Sequence, residues 1–177
     1  MTTIHVCPLS QLHATVAATG AGRIVSLLTQ GTLVERPDAV ALEDHLFLSM
    51  HDIVEEQPDM ELPRDAHVEE LIAFAQKWDR AKPIVVHCFA GISRSTAAAY
   101  IIACVLYPER DEGELAAALR KASPSATPNQ RLVALADAKL ERDGRMVRAI
   151  AEIGRGVDAT EGVPFLLDLG DRPRPEA

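Results

Sequence analysis

The residues of this chain whose types and spacing suggest chemistry lie between positions 87 and 95, in the run HCFAGISRS. Cys88 is a nucleophile in its thiolate form, and Arg94, six residues later, carries a planar charged group that can bind two oxygens of one anion. Gly91 lets the backbone turn sharply and approach a ligand without a Cβ in the way. We call residues 87–95 the cysteine loop and predict that it binds and attacks an oxyanion.

The segments on either side predict how the cysteine loop is held. Residues 83–86 form a short apolar run that starts with proline, which is typical of a buried strand. Residues 96–107 are mostly apolar and contain neither Gly nor Pro, which indicates a buried helix. A loop between a strand and a helix N-terminus directs backbone N–H groups and the positive end of the helix dipole at one point. Such surroundings favour an anion and the thiolate form of a cysteine.

The run HCFAGISRS resembles the HCxxGxxR(S/T) signature of cysteine-dependent protein tyrosine phosphatases, most closely that of the dual-specificity branch. The resemblance runs from about residue 4 to about residue 140. It implies hydrolysis of phosphate monoesters through a phosphocysteine intermediate, with no cofactor and no metal. By this resemblance Cys88 attacks phosphorus, Arg94 holds the phosphoryl oxygens and Ser95 stabilises the departing thiolate.

The same resemblance assigns the phosphate cradle to the backbone amides of Phe89, Ala90, Gly91, Ile92, Ser93 and Arg94. His87 has two interpretations: it orients the loop, or it simply ends the strand. Cys7 and Cys104 are interpreted as small buried hydrophobes. A metal or redox site is not favoured, because the chain has no CxxC pair and no spaced His/Cys set.

A general acid is expected in the acidic loop, residues 51–62, because the leaving oxygen of a phosphate ester must be protonated. This loop follows a predicted strand and holds five carboxylates: Asp52, Glu55, Glu56, Asp59 and Glu61. Asp52 comes directly after the strand, 36 residues before Cys88, and resembles the family's general acid in position. Asp59 is the alternative, and we interpret the other carboxylates as a solvated surface.

The rest of the chain alternates strands and helices. Strands are predicted at residues 4–7, 23–28 and 45–50, and Pro8 is predicted at the first position of a helix that ends at Gly20. This alternation predicts an α/β fold with a single, mostly parallel sheet flanked by helices on both faces, which agrees with the phosphotyrosine protein phosphatase II-like fold that the resemblance implies. Ligands then bind beyond the carboxyl ends of the strands, where the acidic loop and the cysteine loop meet.

Four further helical segments are predicted after the acidic loop. Residues 64–79 have one apolar stripe, which includes Trp78, and residues 112–121 form a shorter helix. In the run Thr127-Pro128-Asn129-Gln130, the threonine is predicted to cap the next helix and the glutamine to complete a capping box. The family often has Pro and Asn here to brace the phosphate loop, but capping alone explains these residues. Gly144 is expected to split the last stretch, residues 131–153, in two.

Two regions are predicted along the chain: a phosphatase domain at residues 1–154 and a C-terminal tail at residues 155–177. The tail mixes Gly and Pro with an apolar island at residues 163–169. It lies outside the family resemblance and could pack on the body, cover a sheet edge or meet a partner.

Composition restricts the class of protein. The chain has 177 residues, 47% of them hydrophobic and 25% charged, which fits one α/β domain. A formal net charge of −8 argues against nucleic acid or an anionic membrane as the main partner. The three cysteines form no disulfide framework, and the first residues lack signal-peptide features, so we expect the cytoplasm as the compartment. We also expect a monomer.

The loop composition also bears on the substrate, which we expect to be a phosphorylated protein or a small phosphate ester. Phe89, Ala90 and Ile92 are apolar where phosphoinositide phosphatases tend to carry lysines, which favours phosphoprotein over lipid headgroups or RNA ends. The choice between phosphotyrosine and phosphoserine or phosphothreonine stays open. One alternative is a catalytically idle module that binds phosphorylated residues, and another is a phosphatase of non-protein esters. A third is a sulfurtransferase or arsenate reductase, but such an enzyme needs a different loop or further cysteines near the nucleophile.

Overall fold

The structure is a computed structural model that describes residues 3–169. Its strands are β1 (Ile4–Pro8), β2 (Arg23–Leu28), β3 (His45–Ser49), β4 (Ile84–Cys88) and β5 (Phe165–Leu167). Its helices are α1 (Leu12–Thr19), α2 (Asp65–Gln76), α3 (Arg94–Leu106), α4 (Glu112–Ala122), α5 (Gln130–Lys139) and α6 (Arg145–Ile153). Short 3-10 turns precede α1 and β3, at Leu9–Gln11 and Leu42–Asp44.

The strands form one sheet in the order β3-β2-β4-β1-β5. The first four are parallel to their neighbours, and only β5 runs antiparallel, against β1. Because the carboxyl ends of parallel strands meet at one edge of a sheet, the loops after β1, β2, β3 and β4 converge there. β4 lies between β2 and β1 and therefore delivers the cysteine loop to the middle of this edge.

Helices cover both faces of the sheet, which confirms the predicted fold class. On one face α1 packs over Cys7, Ile24 and Val85, while the other helices build the larger core on the opposite face. The central helix there is α3, which is buried along almost its whole length and packs against β4, β1 and β2. No helix within residues 3–169 is long and apolar enough to cross a bilayer.

The predictions of Trp78 in the core and of a break at Gly144 are confirmed. Pro8, however, ends β1 instead of starting a helix, because it pairs with Cys88 in the sheet and a 3-10 turn intervenes before Leu12. The predicted Thr127 cap is also wrong. Asn129 caps α5, and its side chain accepts a hydrogen bond from the Leu132 N–H at 3.0 Å.

The segment after α6 covers an edge of the sheet, one of the three roles considered for the tail. Its strand β5 pairs with β1 from Ile4 opposite Leu167 to Val6 opposite Phe165. Residues 170–177 of the predicted tail lie outside the described residues.

Candidate active site

The backbone of the cysteine loop is held from outside through its carbonyl groups. The carbonyls of Phe89, Ala90, Ile92 and Ser93 accept hydrogen bonds from the N–H groups of other segments, at 2.8 to 3.2 Å. The donors are Leu9, Gly162, Thr127 and Asn129. Because each peptide bond is trans, the N–H that follows an outward carbonyl points the opposite way, into the loop. The sequence therefore builds a ring of inward N–H donors, which is an anion nest.

Gly91 is required at the middle of the loop for two reasons. Its φ of 71° lies in the left-handed region, which residues with a Cβ rarely adopt. A Cβ built at this position would lie 2.7 Å from the backbone nitrogen of Pro8 and 2.9 Å from the carbonyl carbon of Cys7. The loop thus packs directly on the end of β1.

Cys88 is the last residue of β4 and lies at the floor of this nest. Its side chain is only 3% exposed, and its Sγ accepts a hydrogen bond from the Gly91 N–H at 3.2 Å. The Ser95 Oγ lies 3.1 Å from the same sulfur and is fully buried on the first turn of α3. The sulfur is thus placed between a backbone donor and a hydroxyl, and both can stabilise a thiolate.

Arg94 begins α3 and reaches over to the ends of β2 and β3. Its Nη1 donates to the Met50 carbonyl at 2.8 Å and to the Thr29 Oγ1 at 3.4 Å. The side chain is 7% exposed, and its buried Nε donates to no residue within the part of the chain that the structure describes. The guanidinium is therefore fixed by one corner, and its other edge, formed by Nε and Nη2, is left for two oxygens of an anion.

The structure connects Asp52 to the cysteine loop. Its Oδ1 accepts hydrogen bonds from the Ser93 Oγ at 2.7 Å and from the Asn129 Nδ2 at 2.9 Å. Asn129 Nδ2 also lies 3.3 Å from the Ile53 carbonyl. Two side chains thus hold an exposed carboxylate at the rim of the anion nest. Asp59 makes no recorded hydrogen bond to that loop among residues 3–169, and its φ is 59°.

The acidic loop is closed at its base by a pair of hydrogen bonds between its two ends. The His51 N–H donates to the Glu61 carbonyl at 2.8 Å, and the Glu61 N–H donates to the His51 Nδ1 at 2.8 Å. Asp52 is the first residue inside this closure and is therefore close to the fixed end of the loop. Among the described residues, the closure fixes the position of Asp52, whereas Asp59 lies on the exposed outer part of the acidic loop.

His87 lies on the opposite side of β4 from Cys88 and is fully buried. Its Nε2 is 2.5 Å from the Ser26 Oγ, which is 2.7 Å from the His45 Nε2. Burial lowers the pKa of His87 to about 4, so the ring is neutral near pH 7. This network ties β4 to β2 and β3 just before the nucleophile.

Sequence reasoning gave no structural role to Ser26 and did not assign Ser93 to the acid or Asn129 to the site. A small polar residue in the otherwise apolar strand RIVSLL was a signal for Ser26, since buried polar groups need partners. For Asn129 both roles were missed, because the cap was assigned to Thr127, whereas the Asn129 side chain caps α5 with its oxygen and contacts Asp52 with its nitrogen. Within residues 3–169, no group of three His, Cys, Asp or Glu side chains could hold a metal ion.

Comparisons with known proteins match the segment that carries the site. Residues 46–124 match the family model described as protein-tyrosine phosphatase, and this match includes the acidic loop and the cysteine loop. A search of curated proteins gave no match.

Solved structures share the fold at low sequence identity. The PTP-2 phosphatase of Cydia pomonella is 19% identical, with a TM-score of 0.59 over 77% of this chain and 84% of that chain. Human DUSP28 is 19% identical, with a TM-score of 0.58 over 78% of this chain and 92% of that chain. DUSP15 is 17% identical, with a TM-score of 0.60 over 85% of this chain and 96% of that chain. The chain therefore shares the fold of these phosphatases, and its residues 46–124, which carry the cysteine loop, match the protein-tyrosine phosphatase family model.

Proposed function

We propose that the chain hydrolyses phosphate monoesters on proteins, as a tyrosine or dual-specificity phosphatase, through a phosphocysteine intermediate. The observation that carries the proposal is the position of the Cys88 sulfur. It lies at the floor of a ring of N–H donors, 3.2 Å from the Gly91 nitrogen and 3.1 Å from the Ser95 oxygen. A module that only binds phosphate has no use for a sulfur in this place.

In the first step the Cys88 thiolate attacks phosphorus, so that an S–P bond forms as the P–O bond to the substrate breaks. Arg94 and the inward N–H groups hold the phosphoryl oxygens, whose charge they stabilise best in the transition state. Asp52, in its acid form, gives its proton to the leaving oxygen. Both recorded hydrogen bonds of Asp52 end on Oδ1, so Oδ2 is the oxygen that we assign to this proton transfer.

In the second step a water molecule attacks phosphorus and the S–P bond breaks. Asp52, now ionised, accepts a proton from that water as the new O–P bond forms. The Ser95 hydroxyl, 3.1 Å from Sγ, donates to the departing thiolate and stabilises it. The products are inorganic phosphate and the enzyme in its starting thiolate form.

The surface around the site favours a phosphoprotein over a polyanionic ester. Phe89, on the cysteine loop, is 65% exposed, and Val54 and Met60 are partly exposed on the acidic loop. Residues 51–62 contain five carboxylates and neither Lys nor Arg. A headgroup with several phosphates would be repelled by these carboxylates, whereas a peptide with one phosphorylated residue can place apolar neighbours against this rim.

Sulfur-transfer and arsenate-reduction chemistry is less well supported, because a second cysteine would have to reach Cys88. Cys7 is the neighbour in the sheet, but it packs into the core on the α1 face whereas Cys88 belongs to the core on the other face. Burial raises the pKa of Cys7 to about 11, which disfavours its thiolate.

The test is kcat/KM on matched phosphotyrosine and phosphothreonine peptides and on a phosphoinositide, with Cys88→Ser as the blank. We expect turnover of at least one peptide well above the blank, inhibition by vanadate, and little turnover of the phosphoinositide. A tyrosine preference of about 10³ or more would indicate a tyrosine phosphatase, and comparable rates a dual-specificity enzyme. Turnover of the phosphoinositide alone would contradict a phosphoprotein substrate, and peptide binding without any turnover would favour the idle binding module.

A further inference from the structure

We propose that the C-terminal strap, residues 154–169, positions the cysteine loop for catalysis, and that Gly162 is its point of contact. This inference rests on the proposed phosphatase function. The strap follows the last helix, ends in β5 and lies outside the segment that matches the family model. Its contacts with the cysteine loop therefore come from a segment that the family model does not cover.

The strap touches the cysteine loop directly at Gly162. The Gly162 N–H donates to the Ala90 carbonyl at 2.8 Å. A Cβ built on Gly162 would lie 2.8 Å from the Gly91 carbonyl oxygen and 3.4 Å from the Ala90 carbonyl oxygen. Only a glycine can therefore approach the loop this closely at this point.

This hydrogen bond bears on catalysis through the peptide that follows Ala90. Because the Ala90 carbonyl is held outward, the N–H of Gly91 on the same trans peptide points inward, where it donates to the Cys88 Sγ at 3.2 Å. Gly162 thus fixes the orientation of the peptide that contacts the nucleophile. It acts through this peptide and is a positioning residue.

A second contact connects the strap to the loop through one intermediate residue. The Gly156 N–H donates to the Thr127 Oγ1 at 3.1 Å, and the Thr127 N–H donates to the Ile92 carbonyl at 2.9 Å. A Cβ on Gly156 would meet the Ser125 backbone at 2.5 Å, so the strap also lies tightly against the chain before α5. The strap therefore contacts the cysteine loop directly at Gly162 and indirectly through Thr127.

The strap is anchored independently of these contacts. Arg120 Nη2 donates to the Gly154 carbonyl at 2.7 Å at one end, and β5 pairs with β1 at the other. Ser10, just after β1, donates to Glu161 beside Gly162. Because both ends are fixed, a change at Gly162 is transmitted to the loop and is not absorbed by the strap.

The first test compares Gly162→Ala with Val163→Ala, a matched control at the next residue, whose side chain is 80% exposed. For Gly162→Ala we expect kcat on an aryl phosphate to fall about 10- to 100-fold, because small displacements of a reacting group have effects of this size. The affinity for inorganic tungstate should also fall. Val163→Ala should match the wild type in both. Rates are compared where thermal melts show each variant folded, and a folded Gly162→Ala with wild-type kcat and tungstate affinity would overturn the inference.

The second test uses the wild-type chain and does not depend on a variant that folds. Coupling between two sites is reciprocal, so tungstate bound in the cysteine loop should slow hydrogen exchange in residues 156–162. Helix α1 serves as the reference segment. Slower exchange in the cysteine loop without any change in residues 156–162 would overturn the role of the strap. Because tungstate binding needs no turnover, failure of the proposed function would be seen separately, as absence of phosphatase activity in the wild type.

Discussion

At the scale of single residues, the geometry around Asp52 supports its proposed role more strongly than its sequence position does. The sequence preferred Asp52 over Asp59 only because Asp52 comes directly after a predicted strand and resembles the family's general acid in position. The structure supplies a physical reason, because Ser93 and Asn129 both donate to Asp52 Oδ1. Spacing and the family resemblance singled out Cys88, Gly91, Arg94 and Ser95, and the structure brings these residues together in one loop. The contacts of Asp52 could not be identified in this way, since they join segments that are 41 and 77 residues apart.

We expect Asp52→Asn to lower kcat by about 10²- to 10⁴-fold on a substrate with a poor leaving group, because the amide cannot protonate the leaving oxygen. On an activated aryl phosphate, whose leaving group needs little protonation, the loss should be much smaller. Asp59→Asn is the matched control and should retain wild-type rates on both. Steady-state kinetics on the two substrates checks this, and a larger loss in the Asp59 variant would assign the acid to Asp59.

Asn129→Asp separates the two roles of Asn129. The carboxylate can still cap α5, so stability should change little. It cannot donate to Asp52, and it places a second negative charge beside it, so we expect kcat to fall about tenfold with a smaller change in KM. Gln130→Ala, at the exposed neighbouring residue, is the control. Equal kcat values for the Asn129 variant and the wild type would show that the contact with Asp52 has no catalytic role.

At the scale of elements, the end of β1 determines the shape of the cysteine loop. β4 continues to Cys88, two residues beyond its predicted end, because its last residues pair with Cys7 and Pro8. Strands β1 to β4, the buried helix after the loop and the break at Gly144 followed from periodicity and turn residues, whereas β5 was seen only as an apolar island. The contact between Gly91 and the end of β1 could not be predicted in this way. Strand order and register depend on pairing between distant segments, and a local sequence pattern contains no information on such pairing.

Gly91→Ala tests this contact, and Gly20→Ala is its control. Both glycines have left-handed φ values, 71° and 66°, but a Cβ at Gly20 meets nothing within 4 Å, whereas a Cβ at Gly91 meets Pro8 at 2.7 Å. Gly20→Ala should therefore cost only the conformational strain, about 1–2 kcal/mol of unfolding free energy. Gly91→Ala should cost clearly more and abolish activity. Urea unfolding of both variants measures the difference, and equal losses would mean that the loop does not rest on β1.

At the scale of the whole molecule, the buried histidine beneath the site makes stability depend on pH. Burial lowers the pKa of His87 to about 4, from an ordinary value of 6.5. Between these two values the unfolded chain binds a proton that the folded chain does not, so the fold loses stability as the pH falls through this range. Burial also lowers the pKa of His5 and His45, so these two histidines also make the folded state less stable as the pH falls.

We expect the contribution of His87 to the unfolding free energy of the wild type to be constant above pH 7. By pH 4 this contribution should have fallen by on the order of 3 kcal/mol. His87→Gln should be less stable at pH 7 but should show a shallower decline below pH 6.5. Urea unfolding between pH 7.5 and pH 4.5 compares the two slopes. If both proteins lose stability in parallel, the pKa of His87 in the folded protein is not lowered.

The phosphocysteine intermediate can be tested by detecting phosphate on Cys88. Ser95→Ala should slow breakdown of the intermediate, because the hydroxyl 3.1 Å from the departing sulfur is lost, so the phosphoenzyme should accumulate. A rapid denaturing quench of this variant during turnover of an aryl phosphate, followed by peptide mass spectrometry, should find one phosphoryl group on the peptide that contains Cys88. The Ser95→Ala, Cys88→Ser double variant should carry none. Turnover without phosphate on Cys88, or phosphate on another residue, would contradict the account.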